Sequence, residues 1–356
     1  MRRTIAVTAA IALGSTALCR AGDSEGKPLT IGTPAPAVDI SHWLKGEQVD
    51  EFENGKVYVL EFWATWCRPC TASIPHISKL QEPFRDYGVT FIGISDEKLQ
   101  TVVGFLNKTD RNEELWDDKI RYTLATDPDE SVKKDYMVAA GQQTIPTAFI
   151  IGKEGKIEWI GHPTHPKGDL DRALDAIVKD GWDRTAYKKI YDLRKQVSKE
   201  VDDANYEKAL ALTDELIALD PNSHILYKHR KFALLLSVLN RPSAAYEIGR
   251  ELVDAHWDDA QSLNQISWFV VDDRTVQTRD LEFAMKAAAR ASDLTDHKNA
   301  AILDTVARVY YEMGDLRSAL QWQLKAVEHT DPDSRGGSQL KRTLEKYQKE
   351  KAGSRI

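Results

Sequence analysis

Polar and apolar positions follow two textures, and the change falls near Gly181. Val57–Phe62 reads Val-Tyr-Val-Leu-Glu-Phe, an apolar, β-branched and aromatic run that predicts a buried strand. Cys70–Phe84 has helical spacing, with Ile74, Ile77 and Leu80 on one face. Val89–Ser95 predicts a second strand, Leu99–Asn107 a helix and Arg111–Lys119 a polar excursion. Arg121–Thr126 predicts a short strand, and Glu130–Met137 a short helix after the turn residues Asp127–Asp129. Thr147–Ile151 and Lys156–Ile160 predict two strands joined by Gly152-Lys153-Glu154-Gly155, a hairpin signal. Asp169–Val178 predicts an amphipathic helix that ends at Gly181. Strands alternating with helices imply an α/β layered domain, and the hairpin makes its sheet mixed.

Beyond Gly181 strand-like runs stop, and Ala, Leu, Glu, Lys and Arg dominate at helical spacing. Ala209, Ala244, Ala284 and Ala319 head similar helical segments 35, 40 and 35 residues apart. Turn pairs follow two of these segments, Asp220-Pro221 and Asp331-Pro332. The last unit is the clearest, with Leu303, Val306, Ala307, Tyr310, Gly314, Ala319 and Ala326. Over Lys188–Asp333 the pattern resembles the tetratricopeptide repeat, in which small residues sit where paired helices touch. A plain helical bundle is the other reading. Gly336–Ile356 reads as a polar, basic tail.

Composition narrows the class. Charged residues make up 29% of the 356-residue chain and hydrophobic ones 42%, which excludes wholesale disorder. Met1–Ala21 holds three arginines and no acid, so the remainder carries a net charge of −10. That charge argues against nucleic acid as a partner. Met1-Arg2-Arg3, the uncharged run Thr4–Cys19 and the small residues around Ala21 have a secretory signal layout, with a cut after Ala21. An uncleaved anchor is the alternative, and a membrane is a partner only if the N-terminus is retained. A lipoprotein reading of Cys19 matches poorly, because Leu18 and Thr16 stand where a small residue and Leu are wanted. The expected boundaries are therefore 1–21 signal peptide, 22–36 linker, 37–181 α/β domain, 182–333 helical domain and 334–356 tail. The expected location is extracytoplasmic or periplasmic, where disulfides persist.

Only Cys67 and Cys70 then remain in the mature chain. Three residues apart where a strand gives way to a helix, they can close and open a disulfide without large backbone movement. First-turn N–H groups and the helix dipole stabilise a thiolate, and Pro69 costs nothing there. Cys67 is expected to be the exposed attacking thiolate and Cys70 the deeper resolving thiol. Arg68 is expected to lower the Cys67 pKa, and Trp66 to form an apolar wall beside the sulfur. Glu61 lies inside the apolar strand, where an acid is costly to bury. It is either a proton acceptor for Cys70 with a raised pKa or an edge carboxylate facing solvent.

Phe62-Trp63-Ala64-Thr65-Trp66-Cys67-Arg68-Pro69-Cys70 resembles the active-site signature of the thioredoxin superfamily. Pro75 matches the helix-kinking proline of that fold, and Thr144-Ile145-Pro146-Thr147 matches the loop whose proline is cis. The long section Asp96–Met137 is similar to the extracytoplasmic TlpA/ResA-type branch and its AhpC/TSA redoxin relatives. The resemblance spans about Leu29–Gly181. It implies an α/β thioredoxin-like fold with a mixed central sheet, followed by an all-α helical-repeat domain. It also implies that Glu61 stands at the buried-acid position. Trp66, Thr144, Ile145, Pro146 and Gly161 stand at the substrate groove, with Ile145 pairing to the substrate chain. Arg68 departs from the glycine of many thioredoxins, which leaves the redox potential open. His162 and His165 form a short insertion near the groove that reads as a loop rather than a metal site.

The implied activity is thiol–disulfide exchange on exported proteins, most plainly as a reductant, with no cofactor. It needs an upstream thiol–disulfide electron donor, and the repeats would dock a client peptide or protein. A scaffold with a regulatory redox pair is the alternative. A peroxiredoxin-like peroxidase fits less well, because Ala64 stands where the threonine before a peroxidatic Cys67 belongs.

Overall fold

The computed structural model describes residues 28–164, 168–331 and 333–353. The signal segment, Cys19 and His165 lie outside the described residues. The chain divides into two compact units between Lys188 and Lys189. Among the described residues, the first unit carries β1 (His42–Lys45), β2 (Val57–Trp63), α1 (Arg68–Phe84), β3 (Val89–Ser95), α2 (Leu99–Leu106) and α3 (Trp116–Lys119). It continues with β4 (Thr123–Thr126), α4 (Ser131–Lys133), β5 (Thr147–Ile151), β6 (Ile157–Gly161) and α5 (Asp169–Val178).

The six described strands form one mixed sheet in the order β1-β4-β3-β2-β5-β6. β2 pairs parallel with β3 and antiparallel with β5, so it is central and buried along its whole length. This is the α/β thioredoxin-like arrangement. The crossovers β2–α1–β3 and β3–α2–β4 both step in one direction across the sheet, and right-handed connections therefore put α1 and α2 on one face. That face carries Glu61 and Trp63, and the Trp63 ring packs on Phe105 of α2 at 5.6 Å. The opposite face carries Phe62 and Phe149, which pack around Tyr136.

One expectation is corrected in this unit. Residues 28–36 are not a free linker. Leu29 and Ile31 are buried, Gly32 donates to the Ile157 carbonyl and Ile157 donates back to Thr33. Their two apolar side chains are too sparse among Gly, Pro and Thr to show a period. β1 was not expected, because its four residues are only partly buried at the sheet edge. Within the polar excursion, Trp116 opens α3 and stacks on Phe105 at 4.8 Å.

α6 (Arg184–Asp202) runs across the division between the units. The second unit then carries α7 (Tyr206–Leu219), α8 (His224–Ala233), α9 (Pro242–Ala255), α10 (Ala260–Asp272), α11 (Leu281–Leu294), α12 (Ala300–Glu312), α13 (Leu316–Glu328) and α14 (Arg335–Gly353). Short turns join successive helices. Asp259, Asp280, Asn299 and Asp315 cap α10 to α13, each side chain accepting from first-turn N–H groups.

In the alanine series the fully buried members are Ala209, Ala245, Ala284 and Ala319. Ala244, expected in this series, is exposed. Both alanines of the pair fit the composition, and only packing separates them. Gly249, one turn further along α9, shows how close the helices come: a Cβ there would fall 2.9 Å from Phe283 and 3.0 Å from Phe232. The expected polar tail is also corrected. It forms α14, where Leu340 packs with Leu303 and Ala326, and Tyr347 with Ala307 and Ala319. These two apolar residues sit seven apart, two turns on one helical face, and are diluted by Lys, Glu and Gln.

Candidate active site

β2 delivers the chain into a tight loop at Ala64–Trp66, and α1 begins at once. Cys67 is its N-cap: the Cys70 N–H donates to the Cys67 sulfur at 3.2 Å. The two cysteines are joined as a disulfide, with Cα atoms 5.2 Å apart. Pro69 occupies the first turn, where a missing N–H costs no helical bond. The Cys70 N–H aimed at the Cys67 sulfur, together with the helix dipole, supplies the positive potential that favours a thiolate on Cys67 over one deeper in the helix.

The exposure expected of Cys67 is corrected for the oxidised pair. Cys67 is 4% exposed and Cys70 is fully buried. The reason is the loop Thr144–Thr147, whose Ile145–Pro146 bond is cis. The Ile145 carbonyl oxygen lies 3.7 Å from the Cys67 sulfur and covers it. A disulfide sulfur carries no proton, so this is a packing contact. Pro146 is buried, Ile145 half-buried and Thr144 exposed. Around this covered sulfur, Trp66 is 73% exposed, and Arg68 and Pro69 also face solvent. Trp66 is thus an open apolar surface beside the pair.

Gly161 ends β6 opposite Ala148 of β5. A Cβ at Gly161 would stand 2.6 Å from the Trp159 ring, so glycine is required there by the fold itself. His162 accepts from the Thr164 N–H at 3.2 Å and so organises its own loop. Among the described residues no group of three or more His, Cys, Asp and Glu side chains is arranged to hold a metal ion.

Glu61 is no edge carboxylate. It sits in the central strand, 1% exposed, between Gly93 of β3 and Ala148 of β5. Both carboxylate oxygens are buried without a hydrogen-bond partner. Burial alone pushes its pKa up to about 8, because the charged form has lost its water. It lies on the sheet face that α1 covers, and Cys70 is the first buried residue of α1. The structure therefore brings together Cys67, Cys70, Ile145 and Pro146 at the C-terminal end of the central strand β2, with Glu61 beneath the helix.

One residue of this site was not expected. Glu97 follows β3 and accepts from the Thr65 N–H at 2.6 Å and the Thr65 hydroxyl at 2.8 Å. It fixes the loop two residues before Cys67. Its only sequence signal is an acid just past a strand end, which is common in any α/β domain.

Comparison with known proteins places this geometry. Residues 31–160 match the AhpC/TSA family. Over 131 residues the chain is 30% identical to the thiol-disulfide oxidoreductase ResA of Bacillus thuringiensis subsp. konkukian, which covers 36% of this chain and 68% of ResA. It is 26% identical over 214 residues to Protein FixW of Rhizobium leguminosarum, covering 56% of this chain and 96% of FixW. A solved structure of a thioredoxin-family thiol:disulfide interchange protein from Chlorobium tepidum TLS is 28% identical, with a TM-score of 0.31, over 41% of this chain and 97% of that one. With its cysteine pair at the head of α1 beside a cis-proline loop, the chain belongs to the AhpC/TSA family as a ResA-like thiol-disulfide oxidoreductase.

Proposed function

We propose that the chain reduces disulfides in exported proteins, with Cys67 attacking, Cys70 resolving and Glu61 taking the resolving proton. The observation that carries this reading is an unpaired carboxylate, buried beneath the helix whose first turn holds the cysteine pair. The Cys67 thiolate attacks a client disulfide, forms a mixed disulfide and releases one client thiolate. The Cys70 thiol then passes its proton to Glu61 and attacks the Cys67 sulfur. The Cys67–Cys70 bond forms, the bond to the client breaks, and the second client sulfur leaves and is protonated. The client gains two electrons and the pair is oxidised, so an upstream dithiol donor must restore it.

Arg68, in this reading, favours the Cys67 thiolate electrostatically, and exposed Trp66 offers the client an apolar contact. The backbone of Thr144 and Ile145 pairs with the client chain, with Gly161 at the edge of the same groove. The helical unit docks clients or a redox partner, since stacked helix pairs offer extended surfaces for peptides. No helix among the described residues is long and apolar enough to cross a membrane. The N-terminal signal layout is what supports export.

The reduction potential tests the direction. The full chain is equilibrated in graded dithiol and glutathione buffers, and alkylated thiols are counted by mass. A value near about −270 mV is expected for a reductant, whereas a value near roughly −120 mV would make the protein an oxidant.

A further inference from the structure

Glu61 is not the only orphan on its side of the sheet. The Trp63 indole N–H and the Tyr122 hydroxyl are also buried without a hydrogen-bond partner. Trp63 follows Glu61 by two residues and so shares its face. Gly93 pairs with Glu61 across β2 and β3. A Cβ on Gly93 would fall 2.8 Å from the Tyr122 ring and 3.4 Å from Trp63 Nε1. The missing side chain of Gly93 is therefore the space that the Tyr122 ring enters, directly beside Glu61. The Tyr122 ring and the Trp63 indole N–H thus meet at the strand partner of Glu61, and none of the three residues is more than 3% exposed.

Leaving several such groups dry costs far more than an apolar filling would. Phenylalanine at 122 would keep the ring and drop the orphan hydroxyl. A hydroxyl and an indole N–H beside a carboxylate supply the two to four polar partners that one buried water requires. We propose that Tyr122 is a positioning residue for Glu61, its hydroxyl and the Trp63 N–H holding the carboxylate through a bridging water so that it receives the Cys70 proton. The proposal rests on the reading of Glu61 as that proton acceptor.

Other ionisable neighbours are few. The buried sides of α1, α2 and α5 present Cys70, Ser73, Ile74 and Ile77, then Val102, Phe105 and Leu106, then Leu170, Ala173 and Leu174. Gly93 and Ala148 flank Glu61 in the sheet. Beyond the cysteine pair, Tyr122 is thus the titratable group that faces it. Burial and the nearby Glu61 charge hold the Tyr122 hydroxyl protonated, as a donor must be.

The test uses the reduced full-length chain, labelled with 13C at tyrosine Cζ and glutamate Cδ and titrated from pH 5 to 10. The Tyr122 Cζ resonance is expected to inflect at the Glu61 midpoint, and Glu61→Gln is expected to remove that inflection. Tyr122→Phe is expected to raise the Glu61 midpoint by about one pH unit, because a donor to the charged form is lost. Resolution of a mixed disulfide at pH 7 should then slow about tenfold. A Tyr122 resonance flat through the Glu61 midpoint, or an unmoved midpoint in Tyr122→Phe, overturns the proposal while leaving Glu61 as the base. Wild-type pH dependence of resolution in Glu61→Gln instead removes the base reading, and the proposal with it.

Discussion

Glu61 in the first unit and the buried carboxylates Asp220 and Glu200 in the second are held in opposite ways. In the second unit, Asp220 accepts from Arg194 at 2.8 Å and from the Tyr227 hydroxyl at 3.0 Å, and Glu200 accepts from Lys208 at 2.6 Å and Asn205 at 2.9 Å. In the first unit Glu61 has neither cation nor donor. Those partners hold the Asp220 carboxyl below its ordinary range against the opposing effect of burial, whereas burial drives Glu61 up. Elsewhere in the first unit, Asp127 accepts from the Val132 N–H and Glu158 from Arg184, so the contrast belongs to one position rather than to the fold. A chain that pairs its other buried acids can pair this one. An acid left alone under a cysteine pair is what the proposed proton transfer from Cys70 would use.

The widest separation between the two kinds of acid lies in the pH dependence of stability. The folded-state pKa of Glu61 lies near 8, above its unfolded value of 4.5. Its neutral form is favoured by folding, so its contribution is fully present below pH 4.5 and is lost as pH rises toward 8. The loss should approach roughly 4 kcal/mol. The difference between wild-type and Glu61→Gln denaturant melts should carry that slope, since groups such as His229, whose pKa burial pushes down to about 4, titrate equally in both. An unchanged wild-type pH dependence in the variant would remove the account of burial.

Asp220→Asn breaks a paired acid and should cost roughly 3 kcal/mol at neutral pH by leaving Arg194 uncompensated. Since the folded pKa of Asp220 is lowered, that contribution is present at neutral pH and fades as pH falls through the acid range. Exchange activity at temperatures where the variant is folded should not change. A fall in activity matching that of a cysteine variant would break the division of labour. The smallest effect is expected from Asn299→Ala, which removes the α12 cap: about 1 kcal/mol in thermal melts, with unaltered thiol chemistry.

The same contrast explains what could be read in the sequence. β2, β3, β5 and α5 were legible because their apolar runs are long and bounded by turn residues. The cysteine pair and the cis-proline loop were legible because Trp66-Cys67-Arg68-Pro69-Cys70 and Ile145-Pro146 carry local geometry, a helix start and a proline loop. What could not be read depends on distant partners. The burial of Cys67 comes from Ile145, 78 residues away, and the loop anchor Glu97 lies 32 residues beyond Thr65. The choice of Ala245 over Ala244, the seating of α14 and the packing of residues 28–36 are decided by neighbours that no local period encodes.

The central claim is that chemistry belongs to the first unit through a Cys67-led mixed disulfide. It is tested most directly by trapping that species in the full-length chain. Reduced Cys70→Ser and Cys67→Ser proteins are mixed with a disulfide-bonded peptide, quenched with acid and weighed intact. The account predicts a stable covalent adduct on Cys67 in the Cys70→Ser protein and little or none in the Cys67→Ser protein. Equal adducts on both variants, or none on either, would contradict it.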